Sequence, residues 1–185
     1  MRHIPNALCV FRMLLVLPVA WLLAHGLYWE TLWVFGVAAI TDGLDGFLAK
    51  RFGWTSELGK ILDPLADKIL LVSVFIILAA LGLVPVWLAV CAVLRDVTIT
   101  AGAIAYNALY GYPNGRPTFI SKINTLLQIL YLLSVVAVQA FEQRWTVALT
   151  TLGALVFVTT IVSGLDYVLT YSRKAIEASR QRRLA

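Results

Sequence analysis

Four aspartates are concentrated in one short part of this 185-residue sequence. They are Asp42, Asp45, Asp63 and Asp67, and the whole chain has only ten acidic residues. If these segments are helical, each pair shares one helix face, because residues three or four apart lie on the same side of a helix. The intervening segment Arg51–Leu58 lets the chain turn, so that the two faces can meet. Facing carboxylates predict a site for two divalent cations, and all-oxygen ligation favours Mg²⁺ or Mn²⁺ over Zn²⁺.

Small and basic residues accompany the aspartates. Gly46 and Gly59 leave the two carboxylate faces without side chains, so that a flat ligand could approach the backbone. Lys50 and Arg51 follow at the end of the first face, where they could contact phosphates. Metal ions, phosphate-binding cations and a groove that opens to lipid predict phosphoryl transfer on a lipid substrate. Each glycine taken alone fits helix packing better than ligand contact, and aspartate pairs also serve as proton relays in transporters.

The elements that carry these residues belong in a membrane. Apolar residues make up 61% of the chain, charged residues 14%, and the mean hydropathy is +0.85. Soluble domains have roughly 45–50% apolar and about 25% charged residues, so the composition excludes a soluble globular enzyme. Because a spanning helix needs about 20 apolar residues, we predict an all-α, polytopic membrane protein with six transmembrane helices. The predicted spans are Leu8–Leu27, Thr31–Ala49, Ile61–Leu83, Val86–Leu109, Thr118–Phe141 and Trp145–Tyr171.

Lysine and arginine predict the orientation of these spans. Most of the 15 basic residues lie before the first span, in every second loop, or after the sixth span. Cytoplasmic loops carry the excess of Lys and Arg, so we expect both termini and the acidic cluster on the cytoplasmic side. We predict a single membrane domain, 1–185, with a basic cytoplasmic tail at about residues 172–185 that could hold anionic headgroups. No basic patch interleaved with aromatic residues indicates a nucleic-acid partner.

The first apolar run could also be a cleaved signal peptide. Ala24-His25-Gly26 is a poor cleavage site and Arg12 interrupts the run, so we favour a retained span. No Arg- and Ser-rich transit segment precedes the run in this sequence. We therefore expect an integral protein of the bacterial cytoplasmic (inner) membrane rather than of a mitochondrial membrane.

Taken together, the aspartate segment resembles a known signature. It reads Asp42-x-x-Asp45-Gly46-x-x-Ala49-Lys50, eight residues, then Gly59-x-x-x-Asp63-x-x-x-Asp67. This pattern is similar to that of the CDP-alcohol phosphatidyltransferase family, which has Arg at the position of Lys50. Similarity to the family's first helix is carried by Asn6, Leu8, Arg12 and Pro18.

The resemblance implies roles for individual residues. Members of this family are six-helix membrane enzymes, usually homodimers, that transfer a phosphatidyl group from a CDP-linked lipid to an alcohol and release CMP. The resemblance implies that all four aspartates bind the two metal ions and that Asp67 also acts as the general base for the incoming hydroxyl. It implies that the cytidine diphosphate group is lined by Gly46, Ala49, Lys50 and Gly59.

Basic residues further along the chain are candidates for contact with the acceptor. Arg95 lies within the fourth predicted span, where a charge needs a specific reason. It could bind an acceptor phosphate, pair with Asp96, or bridge to another helix. Further phosphate-contact candidates are Arg51, Arg116 and Lys122, although Arg116 could equally be a solvated topology charge. The polar neighbours of this group are Ser121, Asn124 and Thr125, and Asp166 in the sixth span could pair with Arg12.

Three sequence blocks favour one acceptor. The blocks 83–86, 95–97 and 116–125 look most like the eukaryotic-type cardiolipin synthases, which use CDP-diacylglycerol as donor and phosphatidylglycerol as acceptor. Phosphatidylglycerophosphate synthases, which use glycerol 3-phosphate, tend to have Gly-Lys-x-Lys-Thr where this chain has Ser121-Lys122-Ile123-Asn124-Thr125. We favour cardiolipin synthesis, with phosphatidylglycerophosphate synthesis as the alternative. A divalent-cation or proton-coupled transporter is the non-enzyme alternative, disfavoured because the second half has no inverted repeat of the aspartates.

Overall fold

The structure, a computed structural model, describes the backbone of residues 11, 13–38, 57–110 and 118–184. It describes side chains over residues 11, 13–38, 68–102 and 118–170. Within the described backbone the chain is helical apart from short turns and contains no strand, which confirms the predicted all-α class. The helices are α1 (Val16–Ala24), α2 (28–38), α3 (Glu57–Ala80), α4 (Val86–Tyr110), α5 (Phe119–Ala140) and α6 (Thr146–Leu184).

The helix bounds differ from the predicted spans mainly at polar ends. α4 and α5 agree with their predicted spans to within one residue. α3 is helical from Glu57, the first described residue of this segment, and so includes residues before the predicted start at Ile61. α6 continues beyond Tyr171 to Leu184 because the tail consists largely of good helix formers such as Ala, Arg, Lys and Gln. A search for apolar length does not detect such polar extensions.

The chain divides into two compact units. Unit 1 comprises Met1–Val86 and Leu132–Trp145, and unit 2 comprises Trp87–Tyr131 and Thr146–Ala185. Unit 1 therefore contains α3 with its predicted catalytic aspartates, whereas unit 2 contains α4 with Arg95.

Unit 1 is built on the packing of α1 against α3. Val19 and Leu23, one turn apart on α1, are each 1% exposed. On α3, Phe75 and Leu78 are also buried, at 1% and 0% exposure. Their spacing of three or four residues is that of one helix face. This apolar contact holds the later turns of the helix whose earlier turns carry Asp63 and Asp67.

Three helices end with the same capping turn. The second residue after each helix is Gly26, Gly82 or Glu142, with φ of 70°, 73° and 53°. In each turn the next amide donates to the carbonyl five residues earlier, at 2.9–3.0 Å. This pattern satisfies carbonyls that a helix end otherwise leaves without partners, and it favours a residue that tolerates a left-handed backbone. Two of the three positions are glycine, as that requirement predicts.

In unit 2, α4 approaches α6 closely at Gly102. A Cβ atom at this position would lie 3.0 Å from Cε1 and 3.1 Å from Oη of Tyr167. Small residues let helix backbones come together where apolar packing against lipid gives little driving force. The ring of Tyr167 thus occupies the space that a side chain at position 102 would need.

We expect Gly102→Leu to lower the thermal stability of the protein. The added side chain must displace Tyr167, and overpacking of this kind costs about 1–3 kcal/mol. The matched control is Gly36→Leu on α2, where a Cβ meets nothing within 4 Å. Thermal unfolding in detergent should give a lower Tm for the Gly102 variant and no loss for the control. Equal Tm values for both variants would show that α4 and α6 do not depend on this close approach.

Two helices in the described part of the chain are long and apolar enough to cross a membrane. They are Phe119–Ala140, with a mean hydropathy of 1.7, and Thr146–Thr170, with 1.9, and Lys68–Ala80 is a shorter apolar helix. Large apolar side chains on these helices are exposed, including Phe119 at 78% and Val147 at 81%. The remaining predicted spans and the sidedness of the termini stay predictions, and residues 8–10, 12 and 39–49 of the first two spans lie outside the described ranges.

Candidate functional site

The second half of the acidic signature lies on α3. The backbone is helical through Gly59, Asp63 and Asp67, which are one turn apart from each other. Four residues of α-helix rise about 6 Å, so these positions follow one another along one face. The structure thus has the helical register that the signature predicts for this half of the site.

The first half of the signature lies outside the described residues. It comprises Asp42, Asp45, Gly46, Ala49, Lys50 and Arg51, and Arg116 also lies outside the described ranges. Where side chains are described, no three His, Cys, Asp or Glu residues converge. That observation does not include any of the four predicted metal ligands, whose metal-binding role stays a prediction.

Arg95 is the centre of a buried polar cluster in unit 2. Its side chain is on α4, and the residue is 5% exposed, while Asp96 is 2% exposed. Nη1 of Arg95 donates to Oδ1 of Asp96 at 2.5 Å. Nη2 donates to Oγ of Ser121 at 2.6 Å and to Oγ of Ser163 at 2.5 Å. One guanidinium therefore joins α4 to both α5 and α6.

These contacts explain how a charge is accommodated in an apolar helix. A buried ion is costly unless it is paired and hydrogen-bonded. Both structural contacts considered for Arg95 from the sequence, a pair with Asp96 and a bridge to other helices, are present. Its Nε is buried and has no hydrogen-bond partner within the ranges that the structure describes. The Nε–H group is therefore available to donate to a ligand. The binding of an acceptor phosphate by Arg95 stays a prediction.

Lys122 does not join this cluster. It is exposed on the first turn of α5, whereas the adjacent Ser121 is buried and bonded to Arg95. The structure therefore separates the two described basic candidates, one buried within unit 2 and one on its surface. Asp166, on α6, is half-buried, and its predicted partner Arg12 lies outside the described residues.

The buried polar face of α5 continues beyond Ser121. Asn124 and Gln128 are both 0% exposed, and with Ser121 they have the i, i+3, i+7 spacing of one helix face. Oδ1 of Asn124 accepts hydrogen bonds from the hydroxyls of Thr159 at 2.8 Å and Thr160 at 3.0 Å. Sequence reasoning named Ser121 and Asn124 but missed Gln128, Thr160 and Ser163. Their helical spacing within apolar segments is the signal that could have identified them.

Comparison with known proteins identifies the family. The CDP-alcohol phosphatidyltransferase family matches residues 2–163, which is most of the chain. The chain therefore belongs to this family, as the aspartate signature predicts.

Individual relatives carry two kinds of name. Human cardiolipin synthase (CMP-forming) is 33% identical over an alignment of 190 positions. The alignment covers 94% of this chain and 63% of the human protein. The chloroplastic CDP-diacylglycerol–glycerol-3-phosphate 3-phosphatidyltransferase 1 of rice is 29% identical, over 91% of this chain and 57% of the rice protein. A probable phosphatidylglycerophosphate synthase of Mycobacterium tuberculosis is 32% identical, over 73% of this chain and 62% of that protein. The chain spans only about 63% of the length of the human and rat relatives.

Proposed function

We propose that this protein transfers a phosphatidyl group from CDP-diacylglycerol to phosphatidylglycerol, forming cardiolipin and releasing CMP. The observation that carries the proposal is the aspartate signature, whose second half lies in helical register on α3 of a chain that matches the family over residues 2–163. The similarity to human and rat proteins named cardiolipin synthase (CMP-forming) supports phosphatidylglycerol as the acceptor.

The proposed metal centre consists of Asp42, Asp45, Asp63 and Asp67. Carboxylate oxygens are the ligands that Mg²⁺ and Mn²⁺ prefer, and the one-turn spacing of Asp63 and Asp67 lets one helix supply two of them. When bound, two such ions would supply positive charge beside the pyrophosphate of the donor. Gly46, Ala49, Lys50 and Gly59 are the proposed contacts of the cytidine diphosphate group.

The proposed reaction is a displacement at phosphorus. The carboxylate of Asp67 takes the proton of the acceptor hydroxyl. The hydroxyl oxygen then forms a bond to the phosphorus on the lipid side of the pyrophosphate, and the bond from that phosphorus to the bridging oxygen breaks, releasing CMP. Since little covalent chemistry falls to the protein, positioning and electrostatic stabilisation supply most of the rate.

Arg95 is the proposed contact for the acceptor's phosphate. The contacts of Nη1 and Nη2 hold the guanidinium in place, and no described residue accepts a hydrogen bond from the buried Nε. An ordered donor in a buried setting favours an anion, because charge-assisted hydrogen bonds are strong there. We propose that Lys122, Arg116 and Arg51 add positive charge for phosphate groups of the substrates.

The proposed setting is a homodimer in a bacterial cytoplasmic membrane. Six spans follow from the lengths of the apolar stretches, and the cytoplasmic placement of both termini and of the active site follows from the distribution of Lys and Arg. The two apolar helices with exposed side chains support membrane insertion. The family resemblance supports the dimer, and bacterial as well as eukaryotic relatives match the chain.

Glycerol 3-phosphate is the second candidate acceptor. Three relatives, from rice, Blochmanniella floridana and M. tuberculosis, are named for that reaction or its product. They are 29–32% identical to this chain. Phosphatidylglycerol is favoured because this chain has Asn124 where the resemblance gives phosphatidylglycerophosphate synthases a second lysine. An assay decides between them. Purified full-length protein is given CDP-diacylglycerol and either acceptor, and CMP and the lipid product are identified by mass spectrometry.

Each result of this assay has a distinct meaning. Cardiolipin and CMP formed with phosphatidylglycerol support the proposal. If the only product is phosphatidylglycerophosphate, formed with glycerol 3-phosphate, the protein catalyses the alternative reaction. An absence of CMP with either acceptor would contradict the enzyme proposal and favour the ion-transporter alternative.

We expect removal of divalent cations to abolish CMP release. Without them the donor pyrophosphate and four clustered carboxylates would repel one another, so EDTA should lower the rate at least about a hundredfold. Added Mg²⁺ or Mn²⁺ should restore the rate, and Mg²⁺ should raise Tm by binding the folded state. Full activity in EDTA after extensive dialysis would contradict the proposed metal centre.

A further inference from the structure

Two amide side chains in the middle of unit 2 are buried without their full complement of hydrogen bonds. Gln128 is 0% exposed, and neither its Nε2 nor its Oε1 has a hydrogen-bond partner among the described residues. Asn124, one turn earlier on α5, is also 0% exposed, and its Nδ2 has no hydrogen-bond partner in the same described part of the chain. Buried polar groups are normally hydrogen-bonded, and each exception in a folded protein needs an explanation.

The unsatisfied end of the Asn124 side chain does not depend on which way its amide is oriented. Its Oδ1 contacts the hydroxyls of Thr159 and Thr160, which lie side by side on α6. If the amide were turned over, its nitrogen would meet the two threonines and its oxygen would lose them. In either orientation one end of the amide is satisfied and the other end is not.

The chemistry of these atoms defines the class of ligand. Gln128 offers both a donor and an acceptor, and Asn124 adds a donor, with no charge on either side chain. A phosphate or carboxylate would leave the Gln128 oxygen unsatisfied, and a cation would meet amide donors. An alcohol hydroxyl both donates and accepts, so it satisfies such a pair. The amides therefore fit a neutral hydroxyl group.

The two amides lie on the same face of α5 as Ser121, which is bonded to Arg95, the proposed contact for the acceptor's phosphate. Ser121, Asn124 and Gln128 share one face of α5, and Ser121 is bonded to Arg95 at one end of that face. The rise from Ser121 is about 4.5 Å to Asn124 and about 10.5 Å to Gln128. A cationic donor is thus followed, within one unit, by neutral groups. This order matches the order of groups in a phosphoglycerol head group.

We propose that Asn124 and Gln128 bind the central hydroxyl of the glycerol in the acceptor. The proposal rests on the proposed function, but it holds for phosphatidylglycerol and for glycerol 3-phosphate, since both contain that hydroxyl. The terminal hydroxyl stays available as the nucleophile. Because both amides are fully covered by the protein, neighbouring side chains must move when the acceptor enters.

The test compares two acceptors on two proteins. Phosphatidylglycerol is compared with phosphatidyl-1,3-propanediol, which keeps the terminal hydroxyl and lacks the central one. Gln128→Met removes the amide with little change in shape, and Gln139→Met on the same helix, where Gln139 is half-buried in unit 1, is the matched control. The readouts are kcat/KM for each acceptor, KM for CDP-diacylglycerol, and Tm.

We expect wild type and Gln139→Met to prefer phosphatidylglycerol by about tenfold, the worth of one well-made hydrogen bond. Gln128→Met should lose this preference, with KM for CDP-diacylglycerol and Tm unchanged or Tm slightly raised. An unchanged preference in Gln128→Met would overturn the proposal. So would a fall in Tm with the preference intact, because the amides would then bind water or a protein group. If wild type releases no CMP with either acceptor, the proposed function itself fails, which is a different result from activity without preference.

Discussion

Asp67→Asn should abolish phosphatidyl transfer while leaving the protein folded. The variant removes the proposed general base and one proposed metal ligand without a change in side-chain shape. General base catalysis alone contributes about 10²–10⁴-fold, so CMP release from CDP-diacylglycerol should fall by at least about a thousandfold. The position lies within α3, whose later turns pack in unit 1. Tm in the absence of metal should therefore be unchanged.

The control for this variant is Glu142→Gln. Glu142 is an exposed carboxylate in the turn after α5, and it also belongs to unit 1. It should keep full activity and the Mg²⁺-dependent rise in Tm, whereas Asp67→Asn should show a smaller rise. Turnover by Asp67→Asn within a few-fold of wild type would refute its role as general base.

Arg95→Met should cause the largest loss of stability of any single substitution considered. Asp96, which is 2% exposed, would lose the cation that pairs with it, and Ser121 and Ser163 would lose a shared donor. Removing one partner of a buried ion pair costs about 3–5 kcal/mol, because the other charge stays buried after losing this partner. We expect a large fall in Tm and a smaller monodisperse fraction in size-exclusion chromatography.

A double variant separates charge burial from packing. Arg95→Met combined with Asp96→Asn removes both charges, so it should recover part of the lost Tm if the buried carboxylate left by Arg95→Met is the main cost. Recovery would show up as a positive coupling energy in a double-mutant cycle. Additive losses would contradict the ion pair as the source of stability.

The acceptor role of Arg95 needs a variant that still folds. Arg95→Lys keeps the charge, but a single ammonium group cannot reproduce the fork of the guanidinium. If Nε contacts the acceptor's phosphate, this variant should raise the acceptor's KM and leave the KM for CDP-diacylglycerol unchanged. A lower Tm with both KM values unchanged would mean that Arg95 only joins the helices.

The signature on α3 was accessible from sequence because its geometry is local. Gly59, Asp63 and Asp67 are four residues apart, so helical structure alone places them on one face. The same holds for the all-α class, which follows from long apolar segments. The extension of α6 to Leu184 was missed since apolar length does not report helix propensity in a polar tail.

The surroundings of Arg95 were not accessible in the same way. The sequence indicates that a charge in an apolar segment needs a partner, and Asp96 is adjacent. Ser121 and Ser163, however, are 26 and 68 residues away along the chain, so only the packing of α4, α5 and α6 brings them together. Gln128 was missed although its spacing from Ser121 and Asn124 indicates a shared helix face, and only the structure shows that this face is buried.

The most direct test of the account follows the two halves of the product. Purified protein is supplied with Mg²⁺, unlabelled CDP-diacylglycerol and phosphatidylglycerol with deuterated acyl chains. We expect cardiolipin with one labelled and one unlabelled phosphatidyl half, with one CMP released for each cardiolipin formed. The Asp67→Asn variant should form no such product. Cardiolipin with two labelled halves and no CMP would contradict it, because the phosphatidyl group would then come from a second phosphatidylglycerol.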